Sequence, residues 1–291
     1  MTMTVSPESA ARMACRASGL ADRSLAQLHQ HATSVFLLAD EGVVVRVSPA
    51  PRHRRLETAV SLTRWLVANG FPATEPLDVP QPVTYDPYTV TFWHHYPQPE
   101  CGVPPAGRLG ELLRALHALP TPPMPLPPYQ PLTSFRHAVA SSTCLEAAER
   151  EWLASRSDEL LHVYRGLGFP LGQGHIHGDA YPGNTLWGGD GVRLGDWDEA
   201  AFGPREIDLA NTFQGVRFGR STAELADFSL GYGYDIREWQ GLSTLCAIRD
   251  LHTLGSFIRR ADRGDTEAGE QLSYRIETLM HGGETASWSS A

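Results

Sequence analysis

Between Gly174 and Ala210 the chain reads GHIHGDAYPGNTLWGGDGVRLGDWDEAAFGPREIDLA, and any fold must accommodate that pattern. Two short apolar runs, Thr185–Trp187 and Val192–Leu194, flank Gly188-Gly189-Asp190-Gly191. Glycines supply the positive φ of a tight turn, so the runs predict a β-hairpin. Closing it brings the loop before its first strand beside the loop after its second. Asp179, Asn184 and Asp196 can then converge. Two carboxylates and an amide oxygen are hard ligands of the kind Mg²⁺ prefers. One carboxylate is left over to accept a proton from a substrate hydroxyl. Taken singly, Asp179 and Asn184 also fit turn positions. His177 reads as a hydrogen-bonding residue of the loop rather than a proton carrier. Asp198 and Glu199 fit either a solvated acidic loop or a substrate contact.

The order of these residues resembles the catalytic core of the aminoglycoside phosphotransferase family, a branch of the protein-kinase-like fold. His177-Gly178-Asp179, then Asn184, then Asp196-Trp197-Asp198 match the family's H-G-D, N and D-W/F strings. Gly203-Pro204 and Asp208-Leu209-Ala210 resemble its closing turn and D-L-A. An H-x-D-x-x-x-x-N string alone is weak; joined to the hairpin, the D-W-D and the D-L-A in order, it is specific. The resemblance implies Asp179 as catalytic base, Asn184 and Asp196 as Mg²⁺ ligands, and Asp208 as a brace for the catalytic loop.

Composition excludes several classes. At 291 residues the chain is long enough for two lobes, and 42% hydrophobic with 20% charged is an ordinary globular balance. No run of eighteen apolar residues predicts a membrane span. The start, MTMTVSPESAARMACR, lacks the basic-then-apolar pattern of a signal peptide. Cys15, Cys101, Cys144 and Cys246 are too scattered for a metal motif, and reduced thiols in a cytoplasm are the simplest expectation. A net charge of −9 argues against a nucleic-acid partner and is compatible with a cationic acceptor. All 24 basic residues are arginine.

That absence of lysine bears on the first third of the chain. Ser6-Pro7-Glu8 predicts a helix start, and Gly19 its stop. Ser34–Leu38 and Val43–Val47 predict a hairpin across Asp40-Glu41-Gly42. In the family the nucleotide lies under such a hairpin, whose second strand carries a phosphate-facing lysine. Here Val43-Val44-Val45-Arg46-Val47 puts Arg46 in that place, longer, forked and always charged. A glycine-rich loop is lacking; His31-Ala32-Thr33-Ser34 is its nearest equivalent, and Ser34 is the expected phosphate contact. Arg52–Asn69 predicts an amphipathic helix through Leu56, Val60, Thr63 and Val67. By resemblance Glu57 on that helix pairs with Arg46. Tyr88–Phe92 predicts a strand running on into Trp93-His94-His95-Tyr96-Pro97, which resembles the hinge between lobes. Phe92 and His94 are therefore expected at the purine.

Beyond the hinge, Gly107–Leu119 predicts a helix with an apolar stripe of Leu109, Leu112, Leu113 and Leu116, and a structural His117. Seven of the twelve residues from Pro120 to Pro131 are proline, which predicts an extended connection over the surface. Helical spacing returns in 135–166 and, after the central stretch, in 211–218, 222–230, 236–260 and 266–279. In the family such late helices wall the substrate site. Their acids, Glu224, Asp227, Asp235, Glu238, Asp250, Asp262 and Asp265, are candidates for holding a polycation. The tail 281–291 reads as polar and frayed.

Together these readings predict an α+β bilobal protein-kinase-like fold: a small nucleotide-binding lobe over 1–93, with an antiparallel sheet and helix, and a larger, mainly helical catalytic lobe over 94–291. The resemblance implies a Mg²⁺-dependent, cytoplasmic small-molecule kinase of the antibiotic-resistance type, moving the γ-phosphoryl of ATP or GTP to a hydroxyl of an aminoglycoside-like acceptor. Alternatives are a kinase of a metabolite such as an amino alcohol or sugar, a nucleotide-binding pseudokinase that has lost efficient turnover with its lysine, and a metal-dependent hydrolase.

Overall fold

The structure, a computed structural model, describes residues 5–30, 33–100, 102–283 and 286–289. His31 and Ala32 of the expected phosphate loop, and Cys101, lie outside the described residues. Helix α1 (Pro7–Ala17) opens with Ser6 Oγ accepting the Ser9 N–H at 3.1 Å. Its small residues Ala10, Ala11, Ala14 and Cys15 are fully buried. They let the helix lie close on a five-stranded antiparallel sheet of order β1 (Leu25–Gln30), β2 (Ser34–Leu38), β3 (Val43–Pro49), β5 (Tyr88–His94), β4 (Val83–Tyr85). The alternating burial of β3, with Val43, Val45 and Val47 packed into the core beneath α1 and Arg46 among the residues between, is the period-2 signature of a half-buried strand.

Helix α2 (His53–Ala68) belongs to a different core. Its Ala59, Leu62 and Leu66 pack with Leu109 and Leu113 of α3 (Ala106–Ala118), with Leu194 and with Trp197. The small and large parts of the molecule thus share apolar contacts behind the cleft. A second large core joins α4 (Thr133–Ser141), α5 (Ala147–Arg165), α8 (Leu242–Ala261) and α9 (Thr266–Met280). Between the two cores lie two short sheets: β6 (Gln173–Ile176) pairs with β9 (Ala201–Pro204), and β7 (Thr185–Gly188) pairs with β8 (Gly191–Leu194). The latter is the hairpin expected from the Gly-Gly-Asp-Gly turn. Helices α6 (Glu206–Gln214) and α7 (Thr222–Tyr232) complete the large part.

The proline-rich segment is the extended connection expected, and β9 holds it: Phe202 N–H donates to Pro127 O and Tyr129 N–H to Phe202 O, each at 2.8 Å. The expectation of a frayed tail needs correction. Among the described residues the tail is anchored. Trp288 is only 3% exposed, with the guanidinium groups of Arg217 and Arg275 stacked over its ring. No helix among the described residues is long and apolar enough to cross a membrane.

Candidate active site

A cleft of about 810 Å³ opens between the five-stranded sheet and the helical part. Asp179, Asp196, Asp198, Glu199, Arg46 and His94 all line it. Residues 150 positions apart in sequence meet here: an Arg46 guanidinium nitrogen reaches Asp196 Oδ1 at 2.8 Å and Asp198 Oδ2 at 3.2 Å. Arg46 therefore points into the cleft from β3, between carboxylates delivered by the turn after β8.

The loop carrying Asp179 is held from behind. Asp208, in the first turn of α6 and wholly buried, accepts the His177 and Gly178 backbone N–H groups at 2.8 Å each and His117 Nε2 at 3.0 Å. Burial alone would raise its carboxyl, but His117 and these amides outweigh it and hold it below the usual range. His117 Nδ1 is left to accept from the Tyr232 hydroxyl at 2.9 Å. His177 donates through Nε2 to Gly195 O at 2.8 Å and packs against Trp197, ring centroids 4.6 Å apart. So His177 ties the loop before the hairpin to the turn after it. Gly178 has φ +83°, and a Cβ there would lie 2.2 Å from Glu199 O. Only glycine fits the middle of His-Gly-Asp.

Asn184 Nδ2 donates to the Asp179 carbonyl at 2.9 Å, and Gly195 N–H donates to Asn184 O at 2.9 Å. The side-chain oxygen of Asn184 takes no donor from the described residues. Asp196 adopts the left-handed region, φ 59°, which a short polar side chain tolerates. Burial would raise the Asp196 carboxyl; Arg46 outweighs burial and holds it low. In Asp198 burial prevails over Arg46, and the neighbouring Asp196 adds to the rise. Asp198 Oδ1 is buried with no hydrogen-bond partner among the described residues. Asp196 and the orphaned buried oxygen of Asp198 line the cleft and are hard donors of the kind Mg²⁺ takes, whereas Asn184, the other expected ligand, is not among the residues that line it. No group of three or more His, Cys, Asp or Glu among the described residues is arranged for a metal. A kinase-type ion does not need one, because phosphates and waters supply most of its ligands.

Three expected contacts are corrected. Glu57 is exposed on α2 and does not pair with Arg46, which Asp196 and Asp198 have taken. Ser34 is buried at 6% exposure and lies outside the cleft lining. Side chains alternate along β2, so Val35 faces the cleft instead, with Thr33 before the strand. Phe92 is fully buried in the sheet core, and Gln81 and Leu77 hydrogen-bond its backbone N–H and C=O. Its neighbours Trp93, His94, His95 and Tyr96 form the cleft wall. The His94 and His95 N–H groups donate to Glu75 O and Gly42 O, while the Tyr96 N–H has no partner among the described residues. Gln98 clasps the linker to the hairpin through both Trp187 backbone groups.

A second pocket of about 230 Å³ adjoins the first, between the proline-rich segment and α8. Tyr129, Arg55, Arg249 and His252 line it, together with Asp198 and Glu199. Arg249 makes an ion pair with Asp179, and Arg55 with Glu199 at 2.6 Å. Glu199 is nevertheless raised, by burial first. Sequence reasoning missed Arg249, Arg55 and His252. Their signal was only a helical spacing within α8 and α2, and no local motif marks them. The late-helix acids are all engaged elsewhere or turned away. Asp250 binds Gln214 and Arg217, Asp262 caps 143–144, Asp227 takes the Gly107 N–H, Glu224 accepts the Ser221 N–H in the capping box of its own helix, and Asp235 and Asp265 cap theirs. Glu238 is exposed and outside both pockets.

Fold and site together define a phosphotransferase of the protein-kinase-like class. Residues 24–243 match the model of the phosphotransferase enzyme family (APH), and the chain belongs to that family. Among solved structures it is similar to the amicoumacin kinase hAmiN in complex with AMP-PNP, Ca²⁺ and Ami, with TM-score 0.72, 12% identity, 96% of this chain and 95% of that chain covered. It is also similar to a thermostable mutant of aminoglycoside phosphotransferase APH(4)-Ia, with TM-score 0.61, 18% identity and coverage of 94% and 99%. A choline/ethanolamine kinase family protein from Mesorhizobium loti matches with TM-score 0.61, 16% identity and coverage of 90% and 89%. At such identities the likeness establishes the fold. None of the curated protein sequences matches the chain.

Proposed function

We propose that the chain transfers the γ-phosphoryl of ATP or GTP to a hydroxyl of a small acceptor. One observation carries this reading: Asp179, Asp196, Asp198 and Arg46 meet in a single cleft whose far wall is the linker 93–98. The unpartnered Tyr96 N–H is a donor for the purine edge. Arg46 neutralises phosphate oxygens, and swings from the carboxylates to do so. Asp179 orients the acceptor hydroxyl and accepts its proton; the hydroxyl must share Asp179 with Arg249. Asn184 and Asp196, with the orphaned oxygen of Asp198, would hold Mg²⁺, which supplies charge neutralisation at the phosphates. Such transfer is chiefly positioning plus charge stabilisation. The unpaired Cys15, Cys144 and Cys246 fit a reducing cytoplasm.

The engagement of Arg46 by both carboxylates supports a second reading, a nucleotide-binding protein without efficient turnover. Release of ADP or GDP with Mg²⁺ against a panel of aminoglycosides, other hydroxylated antibiotics, choline, amino alcohols, sugars and sugar acids separates the two. Release above the Asp179→Asn blank with one acceptor establishes the kinase. Silence with Mg·nucleotide bound favours the second reading, and silence without nucleotide binding removes both.

A further inference from the structure

Helix α8 carries a basic face toward the site. Arg249, His252, Ser256 and Arg259 follow one another at intervals of three, four and three, so they share one face of the helix. That face borders both pockets and contains no acid. From the opposite side, α2 and the turn before it contribute Arg55 and Arg52 to the large cleft. Every carboxylate nearby is already matched: Asp179 by Arg249, Asp196 and Asp198 by Arg46, Glu199 by Arg55. Because Asp196 and Asp198 share Arg46, five arginines (Arg46, Arg52, Arg55, Arg249 and Arg259) face four carboxylates, an excess of one positive charge. Neither Arg52 nor Arg259 makes a direct ion pair among the described residues: Arg52 acts on Asp196, Asp198 and Glu199 only from a distance, and Arg259 donates to Ser134 Oγ at 3.5 Å and feels Glu199 from farther off. The late-helix acids expected to receive a polycation serve as caps and core ion pairs elsewhere or, in Glu238, lie exposed outside both pockets.

We infer that the acceptor subsite takes a small hydroxylated anion, its carboxylate or phosphate held by Arg259 and Arg52 while its hydroxyl lies at Asp179. The inference rests on the phosphotransferase reading. A guanidinium fork matches a carboxylate or phosphate in a bidentate way, which no amine can reproduce. A polycation entering here meets unmatched like charge instead, and like charges brought together in a desolvated site reject a ligand. His252, between the arginines, reports the same field: burial first, then Arg249, Arg259 and Arg55, push its imidazole down to about 3.

The test uses the full chain with matched acceptors differing in charge. One set is gluconate, glucose 6-phosphate, glucose and glucosamine. The other is glycerate, glycerol 3-phosphate, glycerol and 3-amino-1,2-propanediol. Affinity is measured by calorimetry at low salt with Mg·AMP-PNP present, and phosphoryl transfer from γ-labelled ATP and GTP is followed in parallel. At least one acid is expected to bind about tenfold or more tighter than its amine counterpart. Whether that acid is a carboxylate or a phosphate ester identifies the source of the anion. Arg259→Gln and Arg52→Gln should each erase most of that preference while nucleotide affinity holds. Amines binding as well as acids, or no acid binding in either set, overturns the inference. So does loss of nucleotide affinity in place of acid affinity, which would assign the arginines to the triphosphate. An acid bound through Arg259 but never phosphorylated would keep the subsite and remove the phosphotransferase reading. An amine bound and phosphorylated would do the reverse.

Discussion

Replacing Asp208 by alanine should destabilise the molecule and disarm the loop that carries Asp179. The side chain has no exposed surface and accepts three N–H donors, from His177, Gly178 and His117. Stranding a buried donor costs about 1–3 kcal/mol. Three of them, with partial relaxation and with the cost of burying the carboxylate removed, give a net loss of about 3–5 kcal/mol. That is a large part of the roughly 5–15 kcal/mol that holds a domain folded. Asp208→Asn keeps one side-chain oxygen acceptor but turns an NH₂ towards a donor, so its loss should be smaller, about 1–3 kcal/mol. Because the folded carboxyl titrates lower than the unfolded one, its contribution is complete above the unfolded value of about 4 and fades as pH falls through the folded one. The variants should therefore lag wild type by a constant margin from neutrality to about pH 4, and the margin should narrow as pH falls below that. Urea unfolding followed by tryptophan emission reads this, since Trp197 packs on the His177 imidazole. An alanine variant within about 1 kcal/mol of wild type would refute the proposed bracing role.

Other outcomes follow from the same geometry. Asp196→Asn should abolish the Mg²⁺ dependence of nucleotide affinity, measured by titration with and without EDTA; an unchanged dependence would remove Asp196 from the ligand set. Gly178→Ala should displace the loop, because the new Cβ would lie 2.2 Å from Glu199 O in a left-handed backbone; loss of turnover beyond the loss of stability, with nucleotide binding kept, is the expected pattern. His252 titrates at about 3 folded and near 6.5 unfolded, so the unfolded chain binds the extra proton between those values and stability falls as pH drops through that window. His252→Gln should flatten that slope in pH-dependent unfolding, and an unaltered slope would contradict a neutral His252.

How much of this was legible in the chain depends on how local the cause was. The β7–β8 hairpin, the Ser6 cap and the α3 stripe are set by glycine positions, a hydroxyl and leucine spacing within a few residues, and all three appear where the pattern placed them. The expected fold class holds as well, because those elements occur in an order that this fold family shares. Contacts across the molecule were not legible. The Glu57–Arg46 pair failed because two carboxylates some 150 residues later compete for the same guanidinium. Ser34 and Phe92 failed on strand parity, where a shift of one position exchanges cleft for core. The arginine face of α8 carries no motif, and becomes visible only once the helix lies against Asp179. The anchored tail was hidden for a similar reason, since Trp288 looks polar in its sequence neighbourhood and apolar in its packing.

The central claim is that Asp179 acts on the acceptor while Arg46 and Asp196 act on the nucleotide. The most direct test is Asp179→Asn, with Mg·nucleotide affinity and acceptor-dependent phosphoryl transfer measured on the same preparation. The account predicts unchanged affinity and transfer reduced by about 10²-fold or more, the usual contribution of a positioned base. Equal loss of both would make Asp179 a structural residue, and undiminished transfer would place the chemistry elsewhere.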